Sequence, residues 1–339
     1  MRLTTESETS RRGPVRGLLE RFGVLAATAA LAATTLVAAG APAAQAQEPA
    51  KMFGSSGSTR TLIEQNEKTA GTAVRGARVF RSWDSTLFGR DQTWARDTGH
   101  TMFLSVKSSR SNGTKVRWAD VANAKPGSTL YRDMQRQAAQ IKAFGSKVYI
   151  GYHHEPEATP GHGTPAEFAA AWRKLVSVYR AEGVRNAEYV WVMTAWGFLR
   201  KDDRRAELFY PGDSYVDGIA ADAYNWYRCR SSTGKWTSLR SVIEGQRKFG
   251  LKHPGKDLML WEFGSVEDPA QPGRKAQWLR DARSMLKEPA YSQYKVVLTW
   301  EGRNYDNGNC HFDYQTSSTA RSAWVEFTRD AAFSARSLA

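Results

Sequence analysis

The sequence predicts a single-domain α/β fold, a (β/α)8 TIM barrel. Eight short runs rich in β-branched and aromatic residues recur between residues 47 and 339. Several are apolar almost throughout, the pattern of parallel strands covered on both faces. The segments between them are long enough for a crossover helix, and several carry helical periodicity. A doubly wound open sheet is the rival architecture, but no Gly-rich dinucleotide or phosphate loop follows a strand.

The expected strands are residues 51–56, 77–83, 101–107, 147–154, 188–194, 216–224, 257–263 and 295–300. Before the fourth strand, Leu130, Met134, Ala138 and Ile141 mark a helical face that Gly145 ends. After it, Thr164-Pro165-Ala166-Glu167 supplies an N-cap, a first-turn proline and an acid at the third position. Phe168, Trp172, Leu175, Val176 and Tyr179 continue at three- and four-residue steps, and Gly183 stops the run. Leu239, Val242, Ile243 and Gln246 predict a helix before the seventh strand, and Trp278, Leu279, Ala282, Met285 and Leu286 one after it. The connection at 84–99 is poorly periodic, and its helix is placed by the alternation alone.

Hydrophobic residues at 41% and charged residues at 24% exclude a disordered or collagen-like chain. Two cysteines cannot staple 339 residues, so a buried core must hold the fold. Residues 1–46 stand apart. Arg2, Arg11, Arg12, Arg16 and Arg21 precede an Ala-rich apolar run from Phe22 to Gly40, and Ala44-Gln45-Ala46 has the small residues a signal peptidase accepts. This is the pattern of a secretory signal peptide, with 47–339 as the catalytic domain; an uncleaved anchor is the alternative. Arg11-Arg12 is followed by Gly13-Pro14, a weak match to twin-arginine export. Removal of 1–46 takes five Arg and three Glu, which lowers the formal charge from +14 to +12. The basic residues are scattered among acids, as in Arg200-Lys201-Asp202-Asp203-Arg204-Arg205. That pattern fits a solvated surface or weak attraction to anionic polymers, and lacks the basic stripe of a nucleic-acid binder.

In such a barrel, chemistry gathers at the C-terminal strand ends. The fourth strand runs out at Tyr149-Ile150-Gly151-Tyr152-His153-His154-Glu155-Pro156-Glu157, and the seventh at Leu258-Met259-Leu260-Trp261-Glu262-Phe263-Gly264. A carboxylate ending so apolar a strand is costly to bury unless it is partnered or used. Two of them facing across a barrel mouth suit retaining glycoside hydrolysis. One carboxyl protonates the leaving oxygen and the other attacks the anomeric carbon, at a separation of about 5 to 5.5 Å.

His154-Glu155 and Glu262-Phe263-Gly264, with Tyr210-Pro211-Gly212-Asp213-Ser214-Tyr215-Val216-Asp217 leading to Asp222-Ala223-Tyr224-Asn225, resemble glycoside hydrolase family 26. That family lies within the clan of retaining (β/α)8 glycosidases. The resemblance implies Glu155 as acid/base, Glu262 as nucleophile, His154 beside the substrate and Tyr224 bonded to the nucleophile. It favours a secreted endo-β-1,4-mannanase. One departure is Pro156-Glu157, where mannan-cleaving members usually carry a hydrophobic residue and then Asn. Mixed-linkage β-glucan and β-1,3-xylan therefore remain alternatives, as does a non-hydrolytic carbohydrate-binding barrel. Glu157 is a solvated loop residue, a ligand for a substrate hydroxyl, or a competitor for the acid role.

Trp300, ending the eighth strand, is expected to stack on a sugar at the cleavage site, as a Trp there does in the clan. Trp83, Trp196 and Trp226 lie just beyond strand ends, where they serve either as glycan platforms or as ordinary packing. Asp222 shares a face with Tyr224 by the strand period, to orient the nucleophile or the sugar or to complete a barrel network. His153, His154, Glu155 and His162 invite a metal reading, but there is no HExxH or HxxEH, and adjacent strand histidines point to opposite faces. The 304–309 segment lacks the closing Glu of a calcium loop. No metal and no cofactor are expected. Cys229 and Cys310 come after the sixth and eighth strands on the catalytic face, placed to bridge in an oxidising compartment; two free thiols are the alternative. The expected partner is a polysaccharide substrate, with no nucleic acid, no membrane after signal cleavage, and a monomeric chain.

Overall fold

Eight parallel strands close on themselves in chain order in the computed structural model, which describes residues 50–229, 234–301 and 310–338. The signal segment and the 304–309 turn lie outside those residues. The strands are β1 (Met52–Ser56), β2 (Gly76–Arg81), β3 (Thr101–Val106), β4 (Val148–Tyr152), β5 (Ala187–Thr194), β6 (Gly218–Asn225), β7 (Asp257–Ser265) and β8 (Tyr294–Trp300). The closed (β/α)8 barrel is thus the observed fold. No helix among the described residues is long and apolar enough to cross a membrane.

Side-chain alternation divides each strand between two cores. Met52, Phe103, Tyr149, Val190, Val192, Ala220, Met259, Trp261, Val296 and Leu298 fill the barrel interior. Their neighbours one residue along, such as Leu104, Ile150, Trp191, Ile219 and Leu260, face outward into the helix layer. Both faces are apolar, which is why these strands read as continuous hydrophobic runs.

The helix layer comprises α1 (Arg60–Ala70), α2 (Arg90–Asp97), α3 (Trp118–Ala122), α4 (Thr129–Phe144), α5 (Pro165–Ala181), α6 (Leu239–Gly250), α7 (Arg274–Leu286) and α8 (Ser318–Arg329). Helix α5 starts as its sequence dictates: Thr164 Oγ1 accepts from the Glu167 amide at 3.3 Å, and Glu167 Oε2 accepts from the Thr164 amide at 2.7 Å. This satisfies two amides that a helix N-terminus otherwise leaves unpaired. Helix α4 ends at Gly145 in a left-handed conformation, φ 76°.

The alternation is less regular than expected. No α-helix joins β5 to β6; three 3-10 turns, Gly197–Leu199, Ala206–Leu208 and Asp213–Tyr215, make the connection. The charged run 200–205 supplies no apolar face, and Pro211-Gly212 breaks the chain again before β6. Two helices, α3 and α4, instead occupy the β3–β4 connection.

One irregularity positions the site. Ala221 of β6 pairs with Leu260, but Asp222 pairs with Glu262, so Trp261 is an extra residue on β7. The β8 register shifts over the same stretch, between Leu260/Val297 and Phe263/Thr299. This bulge lets two consecutive side chains turn inward, Trp261 into the core and Glu262 above it. At the same end, Cys229 and Cys310 form a disulfide with Cα atoms 5.0 Å apart. The bridge ties the loop after β6 to the segment after β8, over a small cluster with Tyr224, Val266 and Phe312.

Candidate active site

Glu262 is 5% exposed and held from three strands. Arg78, from the middle of β2, places Nη1 2.8 Å from Glu262 Oε1 and 3.2 Å from Asp222 Oδ1. The Tyr224 hydroxyl on β6 donates to Glu262 Oε2 at 2.5 Å. The fully buried guanidinium also donates to Ser105 Oγ, Ser56 Oγ and the Trp261 carbonyl, and its plane lies over Phe80 and Trp261. Arg78 is therefore fixed before any ligand arrives.

Two acids face one cation here. Burial and the charge of Glu262 push Asp222 well above the usual carboxylate range, against the pull of Arg78. Burial also raises Glu262, but Arg78, the Tyr224 hydroxyl and Ser56 oppose the rise. Glu262 has the more complete set of donors, and Asp222 Oδ2 has none. The donors around Glu262 thus favour its charged form more than those around Asp222 favour its own.

The other side of the site is built by a turn. Strand β4 stops at Tyr152 because His153 and Glu155 both take left-handed backbone conformations, φ 44° and 54°. For residues other than glycine this costs of order 1–3 kcal/mol each, and such strain concentrates at functional sites. Sheet hydrogen bonds hold the turn: the His153 amide donates to Val106 O at 2.8 Å and the Glu155 amide to Val192 O at 3.0 Å. His153 turns away from the barrel mouth, its Nδ1 accepting from the Ser108 amide at 3.1 Å and its ring 4.4 Å from His162. Burial pushes it down to about 3. His154 turns toward the mouth, its ring 5.1 Å from Phe80. Burial, with Arg78 and Lys107 nearby, lowers it well below the usual histidine range, so both rings are neutral.

Glu155 and Glu262 line one cavity of about 490 Å³. Phe80, Tyr224, Trp226 and Trp300 give it aromatic walls, and Lys107, His154 and Thr194 add polar groups. Such a volume accommodates a sugar ring, with apolar faces to stack on and a few fixed polar contacts. A larger cavity of about 720 Å³ adjoins the disulfide but contains neither glutamate. Glu267 on its wall already accepts from Thr316 and Ser317 hydroxyls. Both strand-end glutamates face the smaller cavity. His154, Asp222 and Glu262 offer atoms within 4.8 Å of one another that could hold a cation. Arg78 already bonds both carboxyl groups, so a metal ion would have to share the site with a fixed positive charge.

Residues 144–253 match the sequence profile described as glycosyl hydrolase family 26, and they carry the Glu155 turn, β5 and the β6 segment. That match covers 110 of the 339 residues, and over it the chain is similar to glycosyl hydrolase family 26. Endoglucanase H of Acetivibrio thermocellus is 26% identical over 266 residues, 73% of this chain and 27% of that protein. The chain thus spans little more than a quarter of the length of the curated relative it matches. The catalytic domain of a Bacillus sp. JAMB-750 GH26 endo-beta-1,4-mannanase superposes with a TM-score of 0.59 at 16% identity, covering 85% of this chain and 87% of that one. The GH26 domain of a Prevotella bryantii endo-beta-mannanase/endo-beta-glucanase gives 0.57 at 13% identity, covering 83% and 90%. At those identities the superpositions speak for the fold.

The structure brings together Glu155, Glu262, His154, Tyr224, Trp226 and Trp300. Asp222 lies one step inside, absent from the cavity wall and bonded to Arg78, the network position among its expected roles. Trp196 is 44% exposed and does not line the cavity; the Arg200 guanidinium sits 3.9 Å over its ring. Trp83 is packing, fully buried with its indole nitrogen donating to Asp133. Glu157 is not a solvated loop residue, since it is 6% exposed and hydrogen-bonded to Thr194. Sequence reasoning missed Arg78, Phe80, Lys107 and Thr194. Arg78 carried a usable signal, a lone charge inside the apolar run Gly76-Ala77-Arg78-Val79-Phe80.

Proposed function

We propose that this chain is a family 26 glycosyl hydrolase, a secreted retaining enzyme that cleaves a β-linked polysaccharide by double displacement. Two carboxyl groups in one aromatic-walled cavity, one held charged by Arg78 and Tyr224, carry the reading. Glu262 attacks the anomeric carbon while Glu155 protonates the departing oxygen, forming a glycosyl ester on Glu262. Glu155 then deprotonates the incoming water, which releases the sugar with its β configuration retained. Arg78, on Oε1, and Tyr224, on Oε2, keep Glu262 ionised and hold its carboxyl plane. Trp300 and Trp226 offer faces for sugar rings, and His154 a neutral hydrogen-bonding edge.

β-1,4-Mannan is the first substrate to test, in line with the mannanases that share the fold. The second reading is a β-glucan, favoured by the similarity to Endoglucanase H, while Pro156-Glu157 departs from the pattern of mannan-cleaving members. The disulfide and the signal-like residues 1–46 support action outside the cell after removal of that segment, by a monomer that needs no cofactor, membrane or nucleic acid. The test is hydrolysis by residues 47–339 across mannan, mixed-linkage β-glucan and β-1,3-xylan, with product sizing and NMR of the first-formed anomer. A β-anomer at early times supports the mechanism, and an α-anomer refutes it.

A further inference from the structure

Glu157 is a buried carboxyl group for which the double displacement has no use. It sits two residues beyond Glu155, in the 3-10 turn Pro156–Ala158 that the left-handed Glu155 opens. Its side chain runs inward, away from solvent. Oε1 accepts from the Thr194 amide at 2.8 Å and from the Thr194 hydroxyl at 2.6 Å. The Thr194 oxygen in turn accepts from the Gly197 amide at 3.0 Å. Gly197 is there because the carboxyl approaches so closely: a Cβ on it would lie 2.6 Å from Glu157 Oε1.

This chain of contacts crosses the site. Thr194 ends β5, lines the same cavity as Glu155, and stands in register with Asp222, itself opposite Glu262. The turn bearing Glu155 is strained, and its backbone is joined to β5 by the bond from the Glu155 amide to Val192 O. An ordinary loop acid would point to water. This one leaves Oε2 buried with no partner among the described residues, a cost that a surface position would avoid.

We propose that Glu157 is a positioning residue, locking the Glu155 turn onto the end of β5 so that the acid/base carboxyl meets the glycosidic oxygen. The proposal rests on the reading of Glu155 as acid/base. A misplacement of about 1 Å can cost on the order of 100-fold, and here the loss falls on protonation of the leaving group. A glycan with a sugar leaving group needs that proton, whereas a dinitrophenyl glycoside departs without it.

The experiment compares kcat/KM of wild type, Glu155→Ala, Glu157→Ala, Glu157→Gln and Gly197→Ala on a β-glycan and on the matching dinitrophenyl glycoside. Glu157→Ala is expected to lose about 100-fold on the glycan and only a few-fold on the aryl substrate. Glu157→Gln keeps an acceptor for Thr194 and should restore most of the glycan activity. Gly197→Ala pushes the carboxyl off Thr194 from the opposite side and should show the same split, which keeps the test available if Glu157→Ala fails to fold. Equal losses on both substrates in the Glu157 and Gly197 variants, with Glu155→Ala still showing the split, would overturn the positioning role alone. No split in Glu155→Ala would instead overturn the acid/base reading beneath it.

Discussion

Arg78 on β2 reaches across the barrel to Glu262 on β7, with 2.8 Å between Nη1 and Oε1. The same nitrogen bonds Asp222, so one guanidinium opposes the effect of burial on two acids. Replacing Arg78 with Met leaves both carboxyl groups uncompensated. Glu262 then holds its proton to higher pH, and the acidic limb of the kcat/KM profile moves upward, because the nucleophile must be ionised. Breaking such a buried pair also costs about 3–5 kcal/mol. A pH–rate profile and urea unfolding of Arg78→Met check this. An unmoved acidic limb would show that Arg78 does not set the charge of Glu262.

Glu157 gives a second pH dependence, in stability. Burial raises its pKa from 4.5 to about 7, opposed by the Thr194 hydrogen bonds. The folded state therefore holds this proton more tightly than the unfolded chain. The favourable contribution is complete below about pH 4.5 and is lost as pH rises through about 7. Over that interval the wild type should lose about 3 kcal/mol relative to Glu157→Gln, which does not titrate. Unfolding free energies of both proteins at pH 4 and pH 8 measure the difference. A gap independent of pH would show that Glu157 titrates normally.

The eight strands were legible because several are apolar on both faces, and the capped helices α4 and α5 because their signals are local. The β5–β6 connection was not, since a charged run ahead of Pro211-Gly212 specifies only the absence of a helical face. The two glutamates were legible as charges at the ends of apolar runs, and Arg78 stood unnoticed as a charge inside one. The bulge at Trp261 could not be read, because it exists only in the register between β7 and its neighbours. The burial of Glu157 was equally hidden, since it depends on Thr194 and Gly197 arriving from another strand.

The Cys229–Cys310 bridge closes a long loop, with a sequence separation of 81. In the chain-entropy model such a closure contributes about 4.5 kcal/mol. Thiol titration of unfolded residues 47–339 should find none without reductant and two with it, and reduction should lower the unfolding free energy by that amount. Two thiols without reductant would remove the bridge.

The central claim is that Glu262 is the nucleophile, and azide rescue tests it most directly. Glu262→Ala should lose nearly all turnover of an activated β-glycoside while still binding glycan. Added azide, occupying the space of the missing carboxylate, should restore turnover and release the inverted α-glycosyl azide. Full activity of Glu262→Ala without azide, or rescue that yields the β-glycosyl azide, would contradict the account.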